Sequence, residues 1–391
     1  MHKDIVVIGA GPAGLSFARS LADTGLDVLV VEKLSTEILS DPPVDGRDIA
    51  LTHFSKTILQ DLAVWQQMPA EEIFPIREAR VLDGKSPYEL RFDLEDVNSD
   101  ELGYLVSNHL IRKALYEQVK TLENVSLMTE LSVTSVHTDR SGAEVTLSSG
   151  ATIKAALVVA ADSRFSEIRR QMGISASMFD FGRVAIVCRM KHEKSNQAIA
   201  SECFHYGQTM AVLPLGEQQS SIVITVASHK ADRLMTMTEQ DFNKDVAQQL
   251  GSKLGAMEIT GERYSYPLVG VWANQFVGTR FALIGDAAVG MHPVTAHGFN
   301  LGLRGQNTLA TLIKQSAAAG RDIGSTNVLK RYQMKHRLTA RPIYSGTNAI
   351  VKLFTNDLPL HRLLRKTVLR VGNTVTPIKK SIKRQLTEIR R

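Results

Sequence analysis

The sequence Gly9-Ala10-Gly11-Pro12-Ala13-Gly14 sets three glycines at GxGxxG spacing between an apolar run and a helical pattern. Each glycine has a physical task in binding a dinucleotide. Gly9 permits a tight turn, Gly11 lets the backbone approach a pyrophosphate, and Gly14, beside Ala13, lets the helix pack close to the strand. The helix amino terminus offers unpaired N–H groups and a positive dipole end to the phosphates. Glu32, followed by Lys33, closes a second strand pattern 18 residues after Gly14, where a carboxylate can bond a ribose hydroxyl. A functionless glycine turn is the alternative, but strand, helix, second strand and terminal acid all fall at the spacing a dinucleotide needs. The motif alone does not separate FAD from NAD.

Two further aspartates favour FAD. Asp162 follows the apolar run Leu157-Val158-Val159-Ala160, and Asp286 follows Arg280-Phe281-Ala282-Leu283-Ile284 within Gly285-Asp286-Ala287-Ala288. Each stands where the carboxyl end of a parallel strand meets a loop, and open α/β sheets place ligands in such crevices. Either alone would serve equally well as a helix cap. Their order behind the glycine motif argues for a shared ligand.

The elements that must position these residues begin with a βαβ unit: strand 3–8, helix 12–24, strand 27–32. A helix near 55–62 follows, then strands near 76–82 and 88–92, a helix over 107–121, short strands within 125–160 and a helix over 163–172. Strand patterns dominate from 178 to 268, with one helix at 238–250. Parallel-sheet character returns at 280–284, followed by a glycine-rich loop, a long helix from about 300 and mostly helical sequence over 323–391. We expect a discontinuous dinucleotide domain (1–75, 95–177, 269–345), a strand-rich domain (76–94, 178–268) and a basic C-terminal helical segment (346–391).

Taken in order, the three motifs resemble those of the class A flavoprotein aromatic hydroxylases, and among them the ubiquinone-biosynthesis hydroxylases of the UbiH type. The resemblance spans residues 3 to about 345. It implies an α/β, Rossmann-like, p-hydroxybenzoate hydroxylase-like fold with non-covalent FAD. Glu32 would hold the adenosine ribose and Asp286 the ribityl chain, while Asp162 would support the approach of both FAD and NAD(P)H. Arg47, in Gly46-Arg47-Asp48, matches an arginine near the flavin phosphates, and Arg112 falls at a polar flavin contact. Surface ion pairs are the alternative for both. Around Pro293 and in Gly298-Phe299-Asn300-Leu301-Gly302, backbone amides would cradle the pyrimidine edge of the ring.

The chain departs from the family pattern at four places. Val289 replaces a usual His, Thr295-Ala296-His297-Gly298 replaces Ala-Gly-Gln-Gly, Gly305 replaces an Asp, and Ser163 replaces the Gly after Asp162. These point to a divergent branch of the UbiM type.

The chemistry implied is ring hydroxylation with O2 and NAD(P)H through a hydroperoxide of the flavin, which carries the difficult step. The protein must orient a phenol and exclude water. His292 and His297 sit in the flavin-edge loop, where a neutral imidazole can accept a phenol proton; alternatively each only shapes the loop. No metal, disulfide or Ser-His-Asp chemistry is indicated, and Cys188 and Cys203 have no CxxC spacing.

Net charge is +6, but residues 361–391 carry ten Lys or Arg against one acid, so the tail is +9 and the remainder −3. That asymmetry argues against nucleic acid and for a local docking surface, an anionic membrane or proteins of a biosynthetic complex. No leader or membrane span is evident, so a cytoplasmic protein, peripheral at the inner face of the membrane, is expected. The function expected is hydroxylation of a prenylated ubiquinone precursor. A hydroxylase of a small soluble aromatic and a non-catalytic flavin-binding scaffold are the alternatives.

Overall fold

Four consecutive apolar residues, Ile5-Val6-Val7-Ile8, are all buried, as a central parallel strand covered on both faces requires. The computed structural model describes residues 1–84, 89–95, 99–205, 207–355, 383, 387 and 388. From the amino terminus the elements are β1 (His2–Ile8), α1 (Pro12–Ser20), β2 (Val28–Val31), α2 (Thr36–Ser40), β3 (Asp48–Leu51), α3 (His53–Asp61), β4 (Ile73–Ile76), β5 (Glu78–Asp83) and β6 (Glu89–Phe92). Then come β7 (Gly103–Ser107), α4 (Asn108–Val119), β8 (Val125–Met128), β9 (Val133–Thr138), β10 (Ala143–Leu147), β11 (Thr152–Ala160) and α5 (Glu167–Gln171). The rest is β12 (Ala176–His192), β13 (Ile199–His205), β14 (Gln208–Pro214), β15 (Gln219–Ala227), α6 (Ser228–Thr236), α7 (Glu239–Gln249), β16 (Met257–Ala273), β17 (Val277–Gly278), β18 (Phe281–Leu283), β19 (Val289–Gly290), α8 (Gly298–Ala318) and α9 (Thr326–Thr355).

Three sheets result. The first runs β17-β18-β11-β1-β2-β8, with β10 paired to β11 and β9 to β10. Its strands β18, β11, β1, β2 and β8 are parallel, so the carboxyl ends of β1, β11 and β18 open at one edge. The second sheet runs β19-β16-β12-β15-β14-β13-β5-β6. Strands β5 and β6 therefore join the later strands β12 to β16, across about 80 intervening residues, through the parallel pair β13–β5. A small third sheet, β3-β7-β4, lies between them in the packing: Ala50, Leu105 and Ile76 share an apolar cluster with Phe204 and Leu215 of the second sheet region.

Local signals set the helix starts. Thr52 caps α3 by accepting the Ser55 amide, Ser166 caps α5 and Thr238 caps α7. The helix expected over 163–172 is confined to Glu167–Gln171, because Ser163 takes a left-handed backbone (φ +112°) incompatible with helix. The helix α6 has no counterpart in the sequence reading, which placed one helix where two, α6 and α7, follow one another. Helix α9 is continuous through Pro342 to Thr355, and its buried positions Val328, Leu329, Tyr332, His336, Ala340, Ile343 and Tyr344 recur at helical spacing. No described helix is long and apolar enough to cross a membrane.

Candidate active site

The three glycines of the first motif separate into two kinds. Gly9 has φ +105°, and a Cβ there would lie 2.7 Å from the Ala161 carbonyl oxygen; a Cβ at Gly14 would lie 1.9 Å from the Gly9 oxygen. These two are required by the protein's own packing. Gly11, in contrast, has an extended backbone (φ −71°, ψ 176°) at the start of α1, and an added Cβ would meet nothing within 4 Å. It fronts open space at a helix amino terminus, the place a phosphate would need.

Buried Glu32 is turned toward this loop. Its Oε2 accepts the Ala10 amide at 2.6 Å and its Oε1 the Leu34 amide at 3.0 Å, while Lys33 beside it is exposed. Gly285, at φ +58°, packs against the first motif: a Cβ there would be 2.8 Å from the Ala13 methyl group. The two motifs, over 270 residues apart, are thus in contact.

The two aspartate loops are tied together by arginines. Arg164 donates to Asp286 at 2.8 Å, and Arg169, which is fully buried, donates to the Ala287 carbonyl at 2.8 Å. Among the described residues Asp162 accepts only the Ile168 amide, at 3.4 Å, and its Oδ1 is buried without a partner. Neither arginine was singled out from sequence. The signal was present in Ser166-Glu167-Ile168-Arg169, where the cap and the buried arginine stand three apart, and Arg169 also donates its amide to Ser166.

Arg47 and Arg112 come together around Asp45. Arg47 pairs with Asp45 at 2.6 Å and lies over the Tyr266 ring, whose hydroxyl donates to the Asp45 carbonyl. Burial raises the Asp45 carboxyl, but the bonds and charge of Arg47, with a bond from Asn108, outweigh it and hold the group below the usual range. Half-buried Arg112 has no hydrogen bond or ion pair among the described residues; burial lowers its pKa, Asp45 and Glu32 oppose that, and Arg47 adds to it. A desolvated guanidinium within electrostatic reach of a second one and of Glu32 has the chemistry to hold a dianion. The surroundings fit the pyrophosphate of FAD.

On the far side lies the loop 291–298. Buried His292 accepts the Val294 amide on Nδ1 at 3.1 Å, its Nε2 is buried with no partner among the described residues, and its ring meets Phe181 of β12 edge-on at 4.7 Å. Burial, helped by the charge of Arg183, pushes its pKa down to about 4. His297 is buried, and both its ring nitrogens lack a partner among the described residues. Pro293 is exposed and Leu301 buried. Asn300 joins three segments: it accepts the Thr52 amide and donates to the carbonyls of Ala50 and Ala296. That leaves Gly298 and its neighbours at the start of α8, again a helix amino terminus.

The family departures have physical correlates. Ser163 and Ala296, each standing where the pattern has glycine, keep a left-handed backbone at φ +112° and +53°. Gly305 leaves room for the His336 ring, whose Nε2 would be 2.7 Å from a Cβ at 305.

Three residues of the basic tail are described. Lys383, one of the ten basic residues of the tail, is buried and donates to the Glu95 carbonyl and, at 3.4 Å, to Asp93. Glu388, the tail's one acid, pairs with Arg304 at 3.0 Å and accepts the Thr52 hydroxyl at 2.7 Å. Leu363, Leu364, Leu369, Lys379, Lys380 and Arg384 lie outside the described residues.

The sequence pattern of the FAD-binding domain family matches residues 2–346. The chain is 51% identical to ubiquinone hydroxylase UbiM of Neisseria meningitidis, over 99% of this chain and 85% of that protein. It is 33% identical to ubiquinone hydroxylase UbiL of Rhodospirillum rubrum, over 96% and 87% respectively. The fold matches that of PqsL, described as a probable FAD-dependent monooxygenase of Pseudomonas aeruginosa, with a TM-score of 0.79 at 18% identity over 91% of this chain and 97% of that one. The chain belongs to the FAD-binding domain family and, within it, to the ubiquinone hydroxylases, which makes it a FAD-dependent monooxygenase.

Proposed function

We propose that this protein hydroxylates the ring of a prenylated phenol, a precursor of ubiquinone, using O2 and NAD(P)H. The observation that carries this is the junction of two surfaces. The glycine loop, the aspartate loops and Arg112 gather at the strand ends of the first sheet, and the second sheet closes over them through the contact of Phe181 with His292.

In this proposal Glu32 holds the adenosine ribose, Arg47 and Arg112 the pyrophosphate, Asp286 the ribityl chain, and the amides from 298 to 301 the pyrimidine edge. Asp162, with its free oxygen, supports the approach of NAD(P)H. When bound, FAD supplies the redox chemistry that activates oxygen. The protein's part is orientation and the exclusion of water. Because the Val294 amide occupies Nδ1, a neutral His292 carries its proton on Nε2. It therefore acts as a hydrogen-bond donor to a ring oxygen, and not as the base that the sequence alone allowed.

Peripheral attachment to an anionic membrane belongs to the same proposal. It draws support from the +9 charge of residues 361–391 and from the outer face of α9, where Met334 (56% exposed) and Leu338 (71%) stand among Lys330, Arg331, Lys335 and Arg341.

The test is NAD(P)H oxidation by the FAD-loaded protein with and without a short-chain prenylphenol, with incorporation of labelled oxygen into the product. Stimulated oxidation with label in the ring is expected. Stimulation by small soluble phenols only would favour the soluble-aromatic alternative, and no stimulation by any phenol would leave a flavin-binding scaffold.

A further inference from the structure

Glu202 is a carboxylate for which the scheme above has no use. Strand register places it in a row across the second sheet, in which Val187, Val223, Ala211, Glu202 and Val81 are successive cross-strand partners. Paired residues share a face, and alternation along β13 gives Glu202 the face of Ala200 and Phe204, not that of Cys203. Ala200, Phe204 and Val81 belong to one apolar cluster with Ala50 of β3, Leu105 of β7 and Val294 of the histidine loop. Glu202 therefore looks toward the flavin-edge loop. Val223, Ala211 and Val81 are only half-buried, as is Glu202 itself, so the row keeps part of its surface accessible.

A carboxyl on an apolar floor costs stability unless something uses it. Thr209, the cross-strand partner of Phe204 and so a diagonal neighbour of Glu202 on the same face, is the polar group that holds its pKa down against burial. Of the other charged groups on this face, Lys191 is exposed at the far end of β12, and the two arginines are bonded elsewhere. Arg189 bonds Asp48 and Ser107, and Arg183 reaches the Gly207 carbonyl. Asp83 lies at the far end of the adjoining row, paired in register with Phe204. From the covering elements come Asp48, His292, and Lys383 with Asp93; none of these forms an ion pair with Glu202.

We propose that Glu202 is the substrate-binding group of this site, its carboxyl pairing with a ring hydroxyl of a phenol or hydroquinone while Thr209 fixes its orientation. The proposal rests on the hydroxylase function above. A protonated carboxyl both donates and accepts, matching a hydroxyl in each direction. Burial pushes the Glu202 pKa up to about 8, against the opposing Thr209 bond, so the neutral acid prevails at neutral pH. A base is not needed for binding, and no proton is transferred in this step. Binding is present below that pKa and fades as pH rises through it.

The experiment titrates the FAD-loaded protein with 2-allylphenol and with its methyl ether, reading the perturbation of the flavin absorbance. For the wild type, the Kd for the phenol should rise about tenfold between about pH 7 and about pH 9, below the ordinary ionisation of a phenol near 10. Glu202→Gln, which keeps a donor and an acceptor, should bind within about threefold of wild type at neutral pH and lose the pH dependence. Glu202→Leu should lose about tenfold or more for the phenol while binding the ether as wild type does, with flavin content unchanged. Equal phenol binding by wild type and Glu202→Leu, or a pH dependence that persists in Glu202→Gln, would overturn the assignment. A wild type that ignores phenol and ether alike would overturn the hydroxylase function itself, and this assignment with it.

Discussion

The Val294 amide donates to Nδ1 of His292 at 3.1 Å, and this one bond decides which nitrogen of the ring can meet a substrate. Only Nε2 is left, and in the neutral ring it carries the proton. The pH–rate profile should accordingly show no ionisation of His292 near 6 to 7. His292→Gln, which keeps an N–H donor, should retain most activity, and His292→Phe should lose about 10- to 100-fold. A wild-type ionisation near 6.5 that His292→Gln abolishes would restore the base role.

The same histidine links stability to pH. Its folded pKa is about 4 and that of His336 is also about 4, both lowered chiefly by burial. An unfolded histidine titrates near 6.5. Between these values the unfolded chain binds a proton that the native one refuses, so stability is full above about pH 6.5 and falls as pH drops toward 4. Urea unfolding should show on the order of 2 kcal/mol lost per histidine across that window. His336→Phe should flatten the slope, and an unchanged slope in that variant would exclude His336 as a contributor.

Ser163 and Ala296 hold backbones that suit glycine. A non-glycine residue there costs on the order of 1–3 kcal/mol, against about 0.4–1 kcal/mol of unfolded-state entropy that glycine would add. Ser163→Gly and Ala296→Gly should each raise Tm by a few degrees, about 2–4 °C per kcal/mol. Calorimetry that shows either variant less stable would mean the side chain contributes contacts worth more than the strain.

Gly11 and Gly14 should fail in different ways. Gly11→Val puts its side chain into empty space, so the folded apo-protein should keep its Tm while flavin content falls below about a tenth of wild type. Gly14→Ala drives a methyl group to 1.9 Å from a backbone oxygen and should not fold. Full flavin in Gly11→Val would move the pyrophosphate site elsewhere.

Features that depend on local spacing were legible in the sequence. The βαβ unit, the two aspartate loops and the alternating strands of the second sheet follow from periodicity and turn chemistry within about a dozen residues. What could not be read depends on contacts between distant segments. The Arg164–Asp286 pair joins positions 122 apart, and the charge environment of Arg112 is set in part by Asp45 and Arg47 from another loop. Glu202 reads as an ordinary polar residue of an alternating strand until the register with β14 and β5 shows which face it takes. Helix α6 is short and mostly polar, only Ala231 and Leu234 being buried, so it offers little apolar sequence to read.

Gly305 and His336 form a matched pair. Glycine to alanine inside a helix ordinarily stabilises by about 1 kcal/mol. Here the new methyl group would press on the His336 ring, which already stacks on Tyr332, so Gly305→Ala should destabilise by about 1–3 kcal/mol. In a His336→Ala background the sign should reverse. A Gly305→Ala effect that is the same in both backgrounds would show the two positions to be uncoupled.

The described residues of the basic tail are held by the protein body. Lys383 is buried against Asp93 and the Glu95 carbonyl, and Glu388 is held by Arg304, so these two anchor the segment instead of reaching a partner. Lys379, Lys380 and Arg384 remain as candidates for an anionic surface. Each basic residue near an anionic leaflet contributes about 1 kcal/mol, and about 0.5 M salt shortens the screening length to about 4 Å. The protein should float with anionic vesicles, not with neutral ones, and should release at that salt. Changing Lys379, Lys380 and Arg384 together to Gln should weaken binding by about tenfold or more with FAD retained. Met334→Ser with Leu338→Ser should weaken it independently, because those side chains are exposed on α9 and would lose their burial in lipid. Glu388→Gln should instead leave vesicle binding intact and lower Tm, since it removes an anchor and no basic charge. Flotation indifferent to lipid charge, or unaffected by the three changes, would rule out an electrostatic membrane site in this segment.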